Sequence, residues 1–288
     1  MADSTHCHPA PAEALPGVPE AWLRPDWPAP AHVHALCTTR AGGMSTGAYA
    51  SMNLGDHVGD APQAVAANRA RLAAALRGPG GAVRPVFLDQ VHGAAVVRLG
   101  PGTPDRTAAD GAWTAERGVA CTVLVADCLP VLFTDRAGRR VAAAHAGWRG
   151  LAGGVLEAVF QCFRAPALTP YGLDAPNSEA IEARDMLAWL GPCIGPQAFE
   201  VGPEVRAAFC AADADAGRHF AAQPGGKFLA NLPALARQRL AALGVAQVYG
   251  NDGSAAWCTV AQTSRFFSHR RDGGAGGTGR MAACIWLG

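Results

Sequence analysis

The sequence predicts an α+β fold, a mixed sheet with helices packed against it in a single domain. Three observations carry this. Short apolar runs with strand character outnumber helical runs, and they cluster instead of alternating strictly with helices. The chain has 288 residues, half of them hydrophobic, enough for one large core. No 20–50-residue repeat is visible, which argues against a solenoid or propeller.

The elements follow in order. Residues 1–30 carry Pro9, Pro11, Pro16, Pro19, Pro25, Pro28 and Pro30, and read as an extended N-terminal arm that Trp22, Leu23 and Trp27 could anchor. Regular structure begins near His32, where HVHALCTTR reads as a strand. Helical spacing over 62–76 places Val65, Leu72 and Leu76 on one side. Residues 86–90, 94–99, 118–125, 131–134 and 141–145 are short apolar runs between turn residues, and predict strands. A single buried helix is expected over 151–163, beginning just after Gly150. Residues 165–183 form a polar, proline-bearing insertion, read as a surface loop. A strand over 186–190, a helix from Pro203 and a helix over 232–243 come next. Asn231 suits the N-cap of the last helix, and Pro233 its first turn, where a missing N–H costs little. Strands over 245–249 and 281–286 close the chain, with a glycine-rich loop at 272–279 before the last.

Composition narrows the function. A formal net charge of +1 and the absence of any run of like charge give no footprint for nucleic acid, so a small-molecule partner is expected. Nine scattered cysteines without a C-x-x-C pair do not resemble a disulfide framework. The N-terminus lacks the basic start and apolar segment of a secretory signal, and no stretch suggests a membrane span. A cytoplasmic location, a reducing compartment, is the expectation. The oligomeric state is left open.

Three residues that can do chemistry stand at the ends of apolar strands: His92 in LDQVHG, Cys128 in VLVADCLP and His145 in VAAAHAGWRG. Two imidazoles and a thiolate are good zinc donors, and three protein ligands leave a fourth position open, as catalytic sites do. The competing explanation is two core histidines and a buried free cysteine. Neighbours weigh against it. Asp127 precedes Cys128, Gln90 lies two residues before His92 on the same strand face, and Arg149 follows His145 by one turn if a helix starts early.

The strings TTRAGG, SMNLG, QVHG, ADG, VLVADCLPVLF, AAAHAGWRG, AWLGPCIGPQAFEVG, FFSHRRDG and TGRMAACIWL together resemble the laccase-domain family, in order from about His32 to Leu287. Its members were first called multicopper polyphenol oxidases and are now described as purine nucleoside phosphorylases. The resemblance implies a domain of this type over residues 31–288, an α/β-type sandwich in which His92, Cys128 and His145 carry zinc, with copper as the other candidate metal. It further implies cleavage of adenosine, inosine and S-methyl-5′-thioadenosine with phosphate, and deamination of adenosine. By motif position Arg40, Asn53, Gln90, Arg149, Arg270 and Arg280 become substrate-pocket candidates, and Asp127 a catalytic one. Phosphate would fall to some of Arg40, Arg149 and Arg270, because a guanidinium fork matches its oxygens. The chain departs from the family pattern in its N-terminal arm, the 165–183 insertion and the lengthened loop before Arg280.

Two other activities compete. A copper-dependent polyphenol oxidase would need imidazole clusters that nine histidines cannot readily supply, although His6-Cys7-His8 and the pair His32 and His34 superficially resemble its motifs. A hydrolase with Cys128 as nucleophile and His145 as base is the second. Bacterial relatives of the family have been linked to editing of UDP-muramyl amino acid cell-wall precursors, which would suit it.

Overall fold

A computed structural model describes residues 18–78, 81–165, 180–274 and 276–288. The elements begin with β1 (Val33–Cys37), α1 (Pro62–Ala75) and a small hairpin of β2 (Arg77–Gly78) and β3 (Gly81–Ala82). Six strands follow: β4 (Arg84–Phe87), β5 (Val96–Arg98), β6 (Gly111–Thr114), β7 (Val119–Val125), β8 (Leu129–Asp135) and β9 (Val141–Ala146). Next are α2 (Trp148–Ala152), α3 (Val155–Arg164), β10 (Met186–Leu190), β11 (Glu200–Val201) and α4 (Pro203–Ala212). The chain ends with β12 (Phe220–Ala222), β13 (Phe228–Ala230), α5 (Leu232–Ala242), β14 (Gln247–Gly250), α6 (His269–Asp272) and β15 (Met281–Leu287).

Two mixed sheets form the body, one in the order β1-β15-β7-β4 and the other β14-β10-β8-β9-β6-β5. Pairs β4–β7, β5–β6 and β10–β14 are parallel and the other pairs within these two sheets antiparallel. The period-two alternation of side chains sorts each strand between two cores. On β15, Ala283, Ile285 and Leu287 enter the core between the sheets, where Leu132, Val141 and Ala143 meet them. Ala282, Cys284 and Trp286 face the other way, onto Leu72 and Leu76 at α1. The outer side of the larger sheet, with Val131, Phe133 and Ala144, packs on Val155, Val159 and Phe163 of α3 and Leu235 of α5. Helix, sheet, sheet, helix is therefore the layer order. Both central strands are buried along their length because both faces are covered. Each fully buried Leu or Phe here contributes roughly 1.5–3 kcal/mol.

The expected helix over 151–163 is two helices. α2 starts earlier, at Trp148, and ends at Gly153; α3 starts after Gly154, whose φ of +94° a side chain would resist. Asn231 does cap α5, accepting the Ala234 N–H at 3.1 Å. A small sheet, β11-β13-β12, lies where no strand was expected. Its strands are two or three residues long, too short for a visible alternation. Trp22 is buried beside Val18, and Leu23 pairs with the end of β1. Most of the 165–183 insertion, and His6-Cys7-His8, lie outside the described residues.

Candidate metal centre and its cavity

Three chain segments reach one point. His92 stands in the loop between β4 and β5, Cys128 in the tight turn between β7 and β8, and His145 near the end of β9. Their donor atoms lie within 4.8 Å of one another, and the Cys128 Sγ is 3.8 Å from the His92 Nε2. Zinc held at about 2.0–2.3 Å by tetrahedral N and S donors needs those donors about 3.3–3.8 Å apart. The donor set suits such an ion, and the Cys128–His92 pair already stands at that spacing. Among the described residues this is the one group of three such donors. His32 and His34 are occupied elsewhere: the His32 Nε2 lies 3.1 Å from the Gly138 carbonyl oxygen, and the His34 ring lies beside Trp286.

Asp110, buried in the turn before β6, holds the arrangement together. Its carboxylate accepts the N–H groups of Val91, His92 and Gly93 at 3.2, 2.9 and 2.6 Å, which folds the His92 loop around it. The same carboxylate lies 2.9 Å from the His145 Nδ1. With the Nδ1 proton in that bond, Nε2 is the nitrogen left to face a metal, the carboxylate–histidine arrangement of many metal sites. Burial would raise the Asp110 carboxyl, but the His145 bond and the Gly93 and His92 N–H groups outweigh it and bring it down.

The charges reinforce each other. Burial would push the Cys128 thiol up, but the adjoining His145, with His92 behind it, draws it down to about 6. Burial would likewise lower His145; the Cys128 sulfur and Asp110 raise it to about 9. Without a metal the pair is a thiolate beside an imidazolium; a bound metal would take the thiolate and release the Nε2 proton of His145.

The backbone is shaped to this purpose. The three non-glycine residues with positive φ among the described ones are His92, Arg106 and Asp127, and all three line the same cavity. Such conformations cost of order 1–3 kcal/mol each and persist where the surroundings enforce them. Gly147 approaches so closely that a Cβ there would sit 2.9 Å from the Cys128 Sγ and 3.1 Å from the His92 ring. At Gly150 a Cβ would meet the Gly93 carbonyl oxygen at 2.7 Å, so α2 lies directly on the His92 loop.

The cavity holds about 390 Å³. Of the residues expected from the sequence, His92, Cys128, His145, Asp127, Gln90, Arg270 and Arg280 line it. The Gln90 amide is used at both ends, on the Leu124 carbonyl and the Leu124 N–H, and so pins the edge of β7. Asp127 accepts from the Thr259 hydroxyl and from the Arg270 N–H. The Arg270 guanidinium donates to the Ala198 and Glu200 carbonyls. Arg280 donates from one nitrogen to the Thr278 and Gly279 carbonyls.

Arg40, Asn53 and Arg149 are not among the lining residues. Arg40 donates to the Ala50 and Thr263 carbonyls. Asn53 is fully buried and ties Gly55, Asp60 and the Arg280 N–H together. Arg149 stacks on Trp148 at 4.4 Å, exposed. His145 still belongs to β9 and α2 begins three residues on, so the two do not share a helical turn. Asp110, Asp56, Arg69 and Arg106 were missed. The ADG string contained Asp110, but its three N–H contacts come from a loop 17–19 residues away.

Fold and site together describe a two-sheet sandwich protein with a three-donor group able to hold a metal. The chain belongs to the family described as multi-copper polyphenol oxidoreductase laccase, whose model matches residues 34–288. It is 51% identical to a Pseudomonas aeruginosa protein named purine nucleoside phosphorylase PA4543, over 93% of this chain and 98% of that one. Purine nucleoside phosphorylase YfiH of Escherichia coli is 50% identical over 91% and 97%. The crystal structure of Neisseria meningitidis NMB0706 superposes with a TM-score of 0.79 at 48% identity, covering 93% of this chain and 99% of that one. YlmD from Geobacillus stearothermophilus gives 0.78 at 33% identity, over 92% and 96%. Among the described residues no helix is long and apolar enough to cross a membrane.

Proposed function

We propose that the chain is a zinc-dependent purine nucleoside phosphorylase that cleaves adenosine, inosine and S-methyl-5′-thioadenosine with phosphate and also deaminates adenosine. The observation that carries this reading is the convergence of His92, Cys128 and His145 at the wall of a cavity large enough for a nucleoside. The names of the relatives at 50–51% identity support it.

In phosphorolysis the N-glycosidic C–N bond breaks, a C1′–O bond to phosphate forms, and the departing purine takes a proton. Zinc, when bound by the three donors, supplies Lewis acidity at that end of the cavity. Asp127 is the proposed proton carrier, held at the cavity wall by Thr259 and the Arg270 N–H. Gln90, Arg270 and Arg280 are proposed to shape and charge the substrate space. Arg40, Asn53 and Arg149 are assigned a supporting role from outside it.

Product analysis of metal-quantified protein tests this. With adenosine and phosphate, adenine and ribose 1-phosphate are expected; without phosphate, inosine. Cys128→Ala should form neither. Zinc-loaded wild type that yields no product would refute the reading. Turnover that survives chelation, with rapid alkylation of Cys128, would instead assign a cysteine hydrolase.

A further inference from the structure

The arginines expected from the sequence to take phosphate are poorly placed for it. Arg40 and Arg149 lie outside the cavity, and the Arg270 guanidinium is committed to two carbonyls. The cavity nonetheless has a cationic end. Arg69, Arg106, Arg280 and His57 line it, with one carboxylate, Asp56, among them.

The pairing there is loose. Arg69 reaches Asp56 at 3.3 Å, and the exposed Arg106 reaches it at 3.5 Å. The His57 Nδ1 stands 3.5 Å from the same carboxylate. Charge-assisted contacts close to about 2.7–2.9 Å. Elsewhere in this molecule ion pairs range from 2.6 Å at Lys227–Glu200 and Arg239–Glu157 to 3.2 Å at Arg98–Glu116 and 3.4 Å at Arg84–Asp105. Arg280 makes no ion pair within 4 Å among the described residues, though Asp127 and Cys128 act on its charge; one nitrogen donates to two carbonyls. Arg69 is fixed in place by stacking on Phe87 at 4.0 Å and by donating its Nε to the Leu54 carbonyl. Among the described residues Asp56 is the one carboxylate within 4 Å of these guanidiniums; Asp105 acts on Arg69, and Asp127 and Cys128 on Arg280, from further off. The other lining carboxylates are Asp89 and Asp127, and Asp127 is already engaged by Thr259 and the Arg270 N–H.

We propose that this end of the cavity binds a phosphate dianion. Arg69 and Arg280 form fixed walls, and Arg106 closes over the ligand from its exposed position. Asp56 occupies the guanidiniums loosely until phosphate displaces it. The role of this phosphate as co-substrate rests on the phosphorylase reading; its binding does not. Inorganic phosphate and the phosphate ester of a nucleotide share the chemistry, and they are separated by experiment.

Calorimetric titration of zinc-quantified protein with inorganic phosphate, and separately with adenosine 5′-monophosphate, tests the site. Arg106→Gln should weaken inorganic phosphate about tenfold, the scale of one lost contact to a charged group. Asp56→Asn should tighten it, because a competing anion is gone. A merely structural role would not produce opposite signs. Arg117→Gln, exposed and away from the cavity, controls for net charge and should change nothing. Equal affinities in wild type, Arg106→Gln and Asp56→Asn would overturn the proposal, as would weakening in both variants with unchanged melting curves. Binding of the nucleotide alone would overturn inorganic phosphate as the occupant. Phosphate binding that responds to Arg106 without nucleoside cleavage would sink the phosphorylase reading and leave this site standing. Phosphorolysis whose KM for phosphate ignores Arg106 would do the reverse.

Discussion

The two ends of the cavity are built on opposite principles. At the donor end a single buried carboxylate, Asp110, receives three backbone N–H groups and a histidine, and every partner is close. At the cationic end a single carboxylate, Asp56, is shared by three groups at 3.3–3.5 Å, half in solvent. A group that must hold a fixed geometry is buried and fully bonded. A group that must give way is left exposed and underbonded. The difference predicts where substitution destroys the site and where it only retunes it.

The largest effect is expected from Cys128→Ala. It removes one of three donors, so bound zinc and turnover should both fall to background in metal analysis and product assay. Asp110→Asn keeps the shape but loses the charge that orients His145. Zinc affinity should fall about 10–100-fold by chelator competition. Unchanged affinity would mean that the two ends are not built differently after all. Gly147→Ala is milder. The backbone at Gly147 (φ −62°, ψ 160°) accepts an alanine, so any loss reports only the new methyl against Cys128 and His92. Overpacking of about 1–3 kcal/mol should weaken zinc about tenfold.

The smallest effect concerns pH at the cationic end. Burial would raise the Asp56 carboxyl, but Arg69 and Arg106 outweigh it and hold it below the usual carboxylate range. Because the folded value lies below the unfolded one, its stabilisation is present above the unfolded value and is lost as pH falls through the folded one. The gap in urea midpoint between wild type and Asp56→Asn should therefore shrink between about pH 6 and about pH 3. A gap that stays constant would show that the carboxylate is not paired in solution.

The candidate donors were legible as His and Cys side chains beside apolar runs and within the family-like strings; Cys128 follows β7, His145 lies near the end of β9, and His92 stands in the loop after β4. Asp110 escaped because its work is done on backbone N–H groups, which carry no residue signature. Arg149 was misplaced by assuming that helical spacing reached back to His145, which is still in β9. Arg69 carries no local signal on α1; the packing of α1 over Phe87 turns it towards the cavity.

The sequence by itself determined the strand-rich mixed architecture, the α5 cap at Asn231 and the choice of the three candidate donors. These depend on local periodicity, capping chemistry and residue type, all of which act over a few positions. Tertiary structure decided which arginines share a cavity, which carboxylate orients His145, and which ion pairs stay long. Those outcomes depend on contacts between segments 13 to more than 140 residues apart. Closing such contacts is set by how whole layers pack, and no window of sequence encodes that.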